Sequence, residues 1–480
     1  MTFFYLLSFL LLSSFGLHRF FLAQKFKKNK DLKPKPLKKF LRLPRVTVQL
    51  PVYNERYVVE RLIRSVCELD YPSDCLQIQV LDDSTDETRD ITQKTAAKFR
   101  AMGFDISVLH RDDRRGFKAG ALEEGLKYAT GEYIAIFDAD FIPPKNFLKH
   151  TIHFFTDKNI GVVQARWGHV NRDYSLLTKL LSILLDGHFL IEQTARFGDG
   201  LLFNFNGTAG VIRKTCLKDA GGWQHDTLTE DLDFSLRAQL KGWGFVYLKD
   251  CVVDAEVPIN INAFKIQQHR WTKGSIQTAK KLLPQILKSK RIRPIAKVEA
   301  AYHLLGGFSY PLLLILLILM LPFAYMWKDL GLDKVVLLNL IAITTGMVSV
   351  FRFYALAVKE AYGQKWLGEA KYLPLVIGLG TGIAINNTKA VLEALFNINS
   401  DFKRTPKFAL TKKSDKTGPM SYLTKPTATT MIELMVGAFF LMFTLGAVLR
   451  GNHAWVPFLI ILQAGFLYIS ILSLLHGIKK

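Results

Sequence analysis

The chain has 480 residues, of which 49% are hydrophobic and 22% are charged. That balance excludes a disordered chain, which has few apolar residues and a high charge density. Its four cysteines form no CxxC pair and have no zinc-ligand spacing, which excludes a disulfide-stapled scaffold and a zinc ribbon. The formal net charge of +22 argues against a soluble enzyme with an acidic surface.

Five stretches are apolar over the length that a membrane-spanning helix needs, which is about 20 residues. The first, Phe3–Ala23, lacks the basic start and the small-residue cleavage site of a signal peptide, so we interpret it as an uncleaved anchor. The other four are Ala300–Trp327, Val335–Val358, Met431–Leu449 and Trp455–His476. The sequence therefore predicts an integral, multi-pass membrane protein with about five transmembrane helices.

Basic residues predict the orientation, because Lys and Arg accumulate in cytoplasmic loops. Lys25–Arg45 holds ten basic residues and one acid, and Asp401–Thr427 is also strongly basic. If both stretches lie in the cytoplasm, the large polar region after the first span is cytoplasmic too. The segment Tyr372–Phe396 then has cytoplasmic flanks on both sides, so it cannot cross the membrane. We expect that segment to be interfacial or re-entrant, with Gly378 and Gly382 serving close helix packing.

The polar region alternates predicted strands with predicted helices. The strands are Val46–Tyr53, Gln77–Leu81, Ile106–His110 and Tyr133–Phe137, and the helices are Glu55–Leu69, Asp86–Phe99 and Phe117–Ala129. This alternation predicts an α/β domain with a doubly wound, mostly parallel sheet. In such sheets ligands bind beyond the carboxyl ends of the strands.

Carboxylates follow three of these strands, at Glu55, at Asp82-Asp83 and at Asp138-Ala-Asp140. The last pair offers two hard oxygen ligands to Mg²⁺ or Mn²⁺, although an aspartate there can equally be a turn or helix-cap residue. No GxGxxG follows the first strand and no GxxxxGK[ST] occurs in the sequence. This argues against a dinucleotide-binding dehydrogenase and against a P-loop ATPase.

Two later motifs also carry candidate chemistry. Asp231 begins an amphipathic helix and is a candidate general base, because a helix N-terminus favours an ionised carboxylate; Thr229 could instead cap this helix. Gln267, Arg270 and Trp271 share one helical face. A guanidinium suits a diphosphate and an indole suits a sugar ring, but Arg and Trp are also favoured at a membrane surface.

Seven motifs follow one another along the polar region. They are Pro51-Val-Tyr-Asn-Glu55, Asp82-Asp-Ser84, Lys118-Ala-Gly120, Asp138-Ala-Asp140, Phe205-Asn-Gly-Thr208, Thr229-Glu-Asp231 and Gln267-Gln-His-Arg-Trp271. In this order they resemble the motifs of the membrane-embedded processive glycosyltransferases of family 2, which include cellulose, mannan and related β-glycan synthases. The likeness is strongest to the plant mannan synthases, cellulose synthase-like group A, and covers about Arg45–Gly274.

The resemblance implies a GT-A type cytoplasmic domain and a role for each matching residue. Asp138 and Asp140 would hold Mg²⁺ or Mn²⁺ at the sugar diphosphate, and Asp231 would be the catalytic base. Implied nucleotide-sugar contacts are Asn54, Glu55, Asp83, Lys118, Gln267 and Arg270, and implied acceptor contacts are Asn206, Gly207, Thr208, Glu230 and Trp271.

Synthases of this family carry a gating loop of pattern F-x-V-T-x-K over the mouth of the active site. Phe402, Thr405 and Lys407 match it, whereas Arg404 stands where the family has Val. A basic loop lying on an anionic leaflet is the alternative interpretation. Only Gly477–Lys480 follow the last predicted helix, so we expect no cyclic-dinucleotide sensor domain of the bacterial cellulose synthase kind.

The implied function is an inverting hexosyltransferase that uses GDP-mannose or UDP-glucose to extend a β-glycan, a β-1,4-linked mannan or glucan. The membrane helices would export the product, with Trp271, Phe308, Tyr310 and Phe353 as candidate sugar contacts. A lipid glycosyltransferase that adds one sugar to ceramide or diacylglycerol, and a non-catalytic transporter, are the alternatives. No nucleic-acid partner is expected, because the basic residues cluster beside the membrane helices.

The expected location is the plasma or inner membrane, or the Golgi. The predicted divisions are an anchor (1–24), a basic linker (25–45), the catalytic domain (46–257), interfacial helices with the Gln267 motif (258–299), two spans (300–358), an interfacial or re-entrant helix (372–397), a cytoplasmic loop (401–427) and two final spans (428–476).

Overall fold

The computed structural model describes residues 2–329, 333–399, 404–411, 414–415, 426, 428–451, 453 and 456–478; side chains are described for the same residues except 2 and 320–345. A seven-stranded sheet organises the polar region, in the order β3-β2-β1-β4-β6-β5-β7. The strands are β1 Val46–Val52, β2 Leu76–Asp82, β3 Asp105–His110, β4 Tyr133–Ile136, β5 Ile160–His169, β6 Gly210–Arg213 and β7 Gly244–Ala255.

Strand β6 alone runs antiparallel to its neighbours β4 and β5, and the other pairings within this described sheet are parallel. The predicted mostly parallel, doubly wound sheet is therefore confirmed. The four predicted strands lie within about one residue of their observed bounds. Strands β1, β2 and β4 are almost fully buried, whereas the edge strand β3 is mostly half-buried.

Helices cover both faces of the sheet. They are α2 Val59–Cys67, α3 Thr88–Ala101, α4 Phe117–Tyr128, α5 Phe147–Thr151, α8 Lys214–Asp219 and α9 Glu230–Lys241. Buried residues of α2, α3 and α5 form one apolar core with one face of the sheet, and those of α4, α8 and α9 form a second core on the other face. The predicted helix from Glu55 begins only at Val59, because Asn54 adopts a left-handed φ of 52° and a turn follows it.

The remaining helices surround this domain and extend away from it. Their bounds are α1 Thr2–Asn29, α6 Leu176–Asp186, a π-helix Gly187–Glu192, α7 Gln193–Gly198, α10 Ile261–Lys288, α11 Pro294–Leu305, α12 Ser309–Asp329, α13 Asp333–Tyr362, α14 Trp366–Ala370, α15 Leu373–Gly382, α16 Ala384–Leu395, α17 Thr429–Leu449 and α18 Val456–Ile478. Short 3₁₀ turns lie at Ser73–Cys75, Ile152–Thr156, Gly306–Phe308 and Gly363–Lys365.

Four stretches of the described helices are long and apolar enough to cross a membrane: Phe3–Asn29, Pro294–Leu319, Thr429–Leu449 and Val456–Gly477. The pair α15 and α16, bent by 42°, would make a fifth if it counts as one span. The predicted span 335–358 lies inside the 30-residue helix α13. The predicted span 300–327 contains the 3₁₀ turn Gly306–Phe308, which separates α11 from α12.

Glycines bring α15 and α18 into backbone contact. A Cβ on Gly382 would come within 2.3 Å of the Gly465 carbonyl oxygen, and a Cβ on Gly465 within 2.0 Å of the Gly378 carbonyl oxygen. The close packing predicted for Gly378 and Gly382 is confirmed. Lys265 of α10 and Glu433 of α17 form a buried ion pair at 2.7 Å. This pair connects α17 to α10, which is the helix that borders the sheet domain.

Candidate active site

The carboxyl ends of the strands, the start of α9, one face of α10 and the segment 404–407 enclose a cavity of about 180 Å³. Most of the predicted site residues line it. These are Glu55, Asp83, Lys118, Asp138, Asp140, Asn206, Glu230, Asp231, Gln267, Arg270, Trp271, Thr405 and Lys407. The residues come from eight separate parts of the chain, and the fold brings them to one space.

Four predicted residues lie outside that wall or outside the described chain. The Asn54 side chain accepts from the Thr85 N–H at 2.8 Å, so it fixes the turn after β1. Gly207 and Thr208 stand behind the cavity, and the Thr208 hydroxyl accepts from the Asp138 N–H at 2.9 Å. Phe402 lies outside the described residues.

An arginine fixes the carboxylate at the end of β2. The Arg111 guanidinium donates to both oxygens of Asp83, at 2.8 and 2.6 Å. A two-point contact of this kind holds the carboxylate plane in one orientation. Nearby, the Arg114 guanidinium lies 3.2 Å from the centroid of the Tyr53 ring, which also faces the cavity. The planar groups at this end of the cavity suit a nucleoside base.

Each carboxylate of the Asp-Ala-Asp motif is paired with a lysine. Lys118 Nζ lies 2.5 Å from Asp138 Oδ1, and Lys407 Nζ donates to Asp140 Oδ2 at 2.7 Å. Burial lowers the pKa of Lys118, but the surrounding carboxylates, Asp138 first among them, outweigh burial and raise it. Both ammonium groups are therefore charged at neutral pH.

Asp231 occupies the first turn of α9, with its carboxylate against the loop that contains Gly207. The Leu232 N–H donates to Asp231 Oδ1 at 2.8 Å, and Asp231 Oδ2 lies 3.0 Å from where a Cβ on Gly207 would stand. Burial and the neighbouring Glu230 raise the pKa of Asp231 to about 7, against the lowering effect of Lys118. A carboxylate with that pKa can accept a proton near neutral pH.

Thr229 does not cap α9 through its side chain. Its hydroxyl lies 3.3 Å from the Thr278 hydroxyl of α10, and a Cβ on Gly274 would lie only 2.5 Å from the Thr229 methyl carbon Cγ2. Helix α10 thus packs directly against the start of α9. This contact brings Arg270 and Trp271 of α10 to the same cavity as Asp231.

Two side chains hold the amide of Asn206 in place. Gln193 Nε2 donates to Asn206 Oδ1 at 2.7 Å, and Asn206 Nδ2 lies 3.0 Å from His188 Nε2. The other ring nitrogen of His188 lies 3.0 Å from Glu192 Oε2. His188 and Glu192 both belong to the π-helix Gly187–Glu192. Such helices are common at functional sites.

A second, larger cavity of about 610 Å³ continues from the first between the membrane helices. The two share Trp167, Asn206, Asp231 and Trp271 as walls. Among the described residues, polar groups line the larger cavity near Asp231 and aliphatic side chains line it farther away.

Three of the four predicted aromatic contacts, Trp271, Tyr310 and Phe353, line this larger cavity. The prediction was wrong for Phe308, which packs against the apolar cluster Ile276, Val391 and Ala394 instead. The 3₁₀ turn that ends at Phe308 turns this ring toward α10 and α16 rather than toward the cavity.

The carboxylates of Asp138 and Asp140 fit a divalent cation that is shared with a substrate. No group of three or more His, Cys, Asp or Glu side chains with metal-binding geometry occurs among the described residues. Mg²⁺ and Mn²⁺ often bind through one or two carboxylates with substrate phosphates and water completing the shell. The hard oxygen donors of this pair suit that arrangement and would not suit a dedicated zinc centre.

Several cavity residues were not predicted from the sequence. Arg114 lies in a polar run just after β3, beside the Arg111 that binds Asp83, and Glu256 directly follows β7. Their position directly after a strand is the signal that could have identified them as site residues, but β7 was itself not predicted. Trp167 lies near the end of β5, a strand that was also not predicted.

Comparisons with known proteins agree with this fold. Residues 47–219 match the family model described as glycosyl transferase family 2. A solved structure, the mannosyltransferase PcManGT from Pyrobaculum calidifontis in complex with GDP-Man and Mn²⁺, shares the fold at a TM-score of 0.50 and 19% identity, over 81% of this chain and 100% of that one.

The chain is also similar to plant glucomannan 4-beta-mannosyltransferases. It is 43% identical over 265 residues to glucomannan 4-beta-mannosyltransferase 1 of Oryza sativa subsp. japonica, covering 54% of this chain and 51% of that protein. It is 44% identical over 264 residues to glucomannan 4-beta-mannosyltransferase 2 of Arabidopsis thaliana, covering 54% and 49%. The chain thus spans about half the length of these curated relatives. The resemblance to cellulose synthase-like group A is confirmed over that region.

Proposed function

We propose that the protein is an inverting, membrane-bound hexosyltransferase that extends a β-1,4-linked mannan or glucan from GDP-mannose or UDP-glucose. The observation that carries this proposal is the placement of Asp138, Asp140 and Asp231 around one cavity. The 40–44% identity to glucomannan 4-beta-mannosyltransferases supports mannose as the sugar. The alternatives of a single-sugar lipid product and of a transporter have no comparable support.

The proposed reaction is a single displacement at the anomeric carbon. Asp231 takes the proton of an acceptor hydroxyl, and that oxygen forms the new bond to the anomeric carbon of the donor. The bond from this carbon to the phosphate oxygen breaks, and its electron pair leaves with the nucleoside diphosphate. Arg270 and Lys118 line the cavity where this charge develops, and they stabilise it there.

A divalent ion bound at Asp138 and Asp140 would neutralise diphosphate charge. Asn206, held by Gln193 and His188, would orient the acceptor beside Asp231. Trp271 borders both cavities and offers an apolar face to the acceptor sugar. The larger cavity would receive the growing glycan. The position of this cavity between the helices supports export of the product through the protein itself.

The test is incubation of membranes that contain the protein with each radiolabelled donor and Mg²⁺ or Mn²⁺. We expect a polymer from GDP-mannose that a β-1,4-mannanase degrades, and no label from Asp231→Asn. Asp226→Asn is the matched control, since this exposed aspartate contacts Lys281 away from the cavity. Label that partitions into organic solvent as a single-sugar lipid would contradict the polymer assignment.

A further inference from the structure

His169 lines the smaller cavity, and the proposed reaction does not use it. It is the last residue of β5, and its side chain is only 7% exposed. Because side chains alternate along a strand, His169 projects from the same face of β5 as Trp167, which borders both cavities. The described walls of the larger cavity do not include His169. The sheet therefore presents an imidazole to the space that Asp138 and Asp140 also line.

A buried carboxylate holds one nitrogen of this ring. His169 Nε2 lies 3.2 Å from Oδ1 of Asp186, a residue of α6 whose side chain is 5% exposed. The Tyr362 hydroxyl donates to the other oxygen, Asp186 Oδ2, at 3.2 Å, and itself accepts from Arg172 Nε at 2.6 Å. Asp186 thus accepts a hydrogen bond on each oxygen, so Nε2 carries the proton of a neutral His169 ring.

The second nitrogen of the ring is open. His169 Nδ1 has no hydrogen-bond partner among the residues that the structure describes, yet it keeps accessible surface. In the tautomer that Asp186 selects, this nitrogen accepts a hydrogen bond. A buried acceptor without a partner costs free energy, so a ligand group that donates to it is favoured. The ring therefore offers the smaller cavity an acceptor for a hydroxyl group.

We propose that His169 recognises the hexose of the nucleotide-sugar, and that its Nδ1 accepts a hydrogen bond from one hydroxyl of that hexose. The nucleotide-sugar rather than the glycan is indicated, because His169 lines the smaller cavity with Asp138 and Asp140 and lies outside the described walls of the larger one. Asp186 and Tyr362 are positioning residues, since they hold the ring and line neither of these cavities. This inference rests on the proposed function for the class of ligand, and it adds a residue that selects the sugar.

A fixed acceptor of this kind discriminates against a sugar that lacks the hydroxyl. Such a sugar would leave Nδ1 of His169 buried and unpaired, whereas the complete hexose satisfies it. Removal of the nitrogen and removal of the hydroxyl should therefore have the same effect on affinity. Both removals together should cost no more than either one, because they delete the same contact.

The first test measures the contribution of the hexose alone. Equilibrium dialysis of the purified full chain in detergent, with Mn²⁺ and without acceptor, gives the affinities for GDP-mannose and GDP and for UDP-glucose and UDP. The ratio of nucleotide-sugar affinity to nucleotide affinity is the readout. His169→Gln keeps a group at the Nε2 position for Asp186 but none at the Nδ1 position, so this ratio should fall about tenfold.

Two further variants separate recognition from a structural role. His169→Asn keeps a polar atom at the Nδ1 position and should retain most of the ratio. A residue that only ties β5 to α6 would show the opposite order, with the ratio retained by His169→Gln and lost by His169→Asn. Tyr362→Phe removes one of the donors to Asp186 and should lower the ratio by a smaller factor, about threefold. His150→Gln, at an exposed histidine of α5, is the control and should change nothing.

The second test varies the sugar instead of the chain. Analogues of the bound nucleotide-sugar that each lack one hydroxyl are compared with the parent compound. We expect the wild-type chain to bind at least one analogue about tenfold more weakly, and His169→Gln to bind that analogue and the parent equally. Equal binding of all analogues by the wild-type chain, or an unchanged ratio in His169→Gln, overturns the inference. Binding is measured without transfer, so a chain that meets these expectations and makes no polymer would contradict the proposed function alone.

Discussion

The chemistry proposed for Asp231 depends on its immediate surroundings. Burial and Glu230 disfavour its ionised form, while Lys118 and the Leu232 N–H favour it. These opposed effects leave a pKa of about 7, well above the ordinary aspartate value. The group is therefore half ionised near neutral pH, where a base that must both accept and release a proton works best.

The pKa of Asp231 predicts the acidic limb of the pH–rate profile. Only the ionised carboxylate can accept the hydroxyl proton, so kcat/KM should rise with pH and level off above about 7. Steady-state rates between pH 5 and 9 with a fixed donor measure this limb. Lys118→Met removes a charge that stabilises the carboxylate, so it should move the limb to higher pH. A limb that stays in place would show that another group titrates.

Gly207 allows the acceptor loop to approach Asp231. It has a left-handed φ of 79°, and its missing Cβ would lie 3.0 Å from Asp231 Oδ2. We expect Gly207→Ala to cost about 1–2 kcal/mol of stability through backbone strain and to lower kcat at least tenfold by displacing the carboxylate. Gly103→Ala, at a φ of 92° with no atom within 4 Å, carries the same strain without the contact. Equal activity in both variants would refute this explanation.

Removal of divalent ions tests the pair Asp138 and Asp140. EDTA should abolish transfer in membranes, and Mn²⁺ or Mg²⁺ should restore it, because the two carboxylates and the donor diphosphate would share the ion. Asp138→Asn should remain inactive after Mn²⁺ is restored. Full activity in EDTA would show that lysines such as Lys118 suffice to neutralise the diphosphate.

At the scale of elements, the sequence predicts the strands that alternate with helices and the long apolar helices. The strands β1 to β4 belong to that alternation, and their carboxyl-end residues could be located in advance. Strand β6 runs antiparallel to its neighbours, and β5 and β7 pair with register shifts, so all three lie outside the regular alternation and were not predicted. The docking of Lys407 on Asp140, 267 positions apart, depends on tertiary packing that no local pattern encodes.

The contact between α15 and α18 gives a prediction at the same scale. Gly465→Leu would drive a side chain into the Gly378 backbone, which is 2.0 Å from the new Cβ. Overpacking of this kind costs roughly 1–3 kcal/mol or more, so the variant should lose helix packing and unfold at lower temperature in detergent. Gly446→Leu on α17 meets no atom within 4 Å and should leave the melting temperature unchanged. Equal melting temperatures would contradict the packing.

At the scale of the whole molecule, the contacts of the segment 404–408 constrain the membrane topology. Lys407 reaches Asp140, so this segment lies on the same side of the membrane as the sheet domain. Arg172 near α6 also contacts Tyr362, at the end of α13, at 2.6 Å. Both flanks of the bent pair α15 and α16 thus meet the same domain, which supports a re-entrant pair.

Cysteine accessibility tests this topology. Gln364→Cys and Ser414→Cys place single thiols in exposed positions before and after the bent pair. An impermeant maleimide should label both in inside-out vesicles and neither in sealed right-side-out vesicles. The unmodified chain controls for its own four cysteines, three of which are buried. Labelling of the two positions from opposite sides would show that α15 and α16 cross the membrane.

The shared wall between the two cavities also bears on inhibitor design. Because Asn206, Asp231 and Trp271 line both cavities, the two spaces adjoin at these residues. A bisubstrate compound that joins a nucleoside diphosphate to a short β-linked oligosaccharide would gain from the high effective concentration of each end once the other is bound. Such compounds would discriminate this protein from glycosyltransferases whose acceptor enters from bulk solvent.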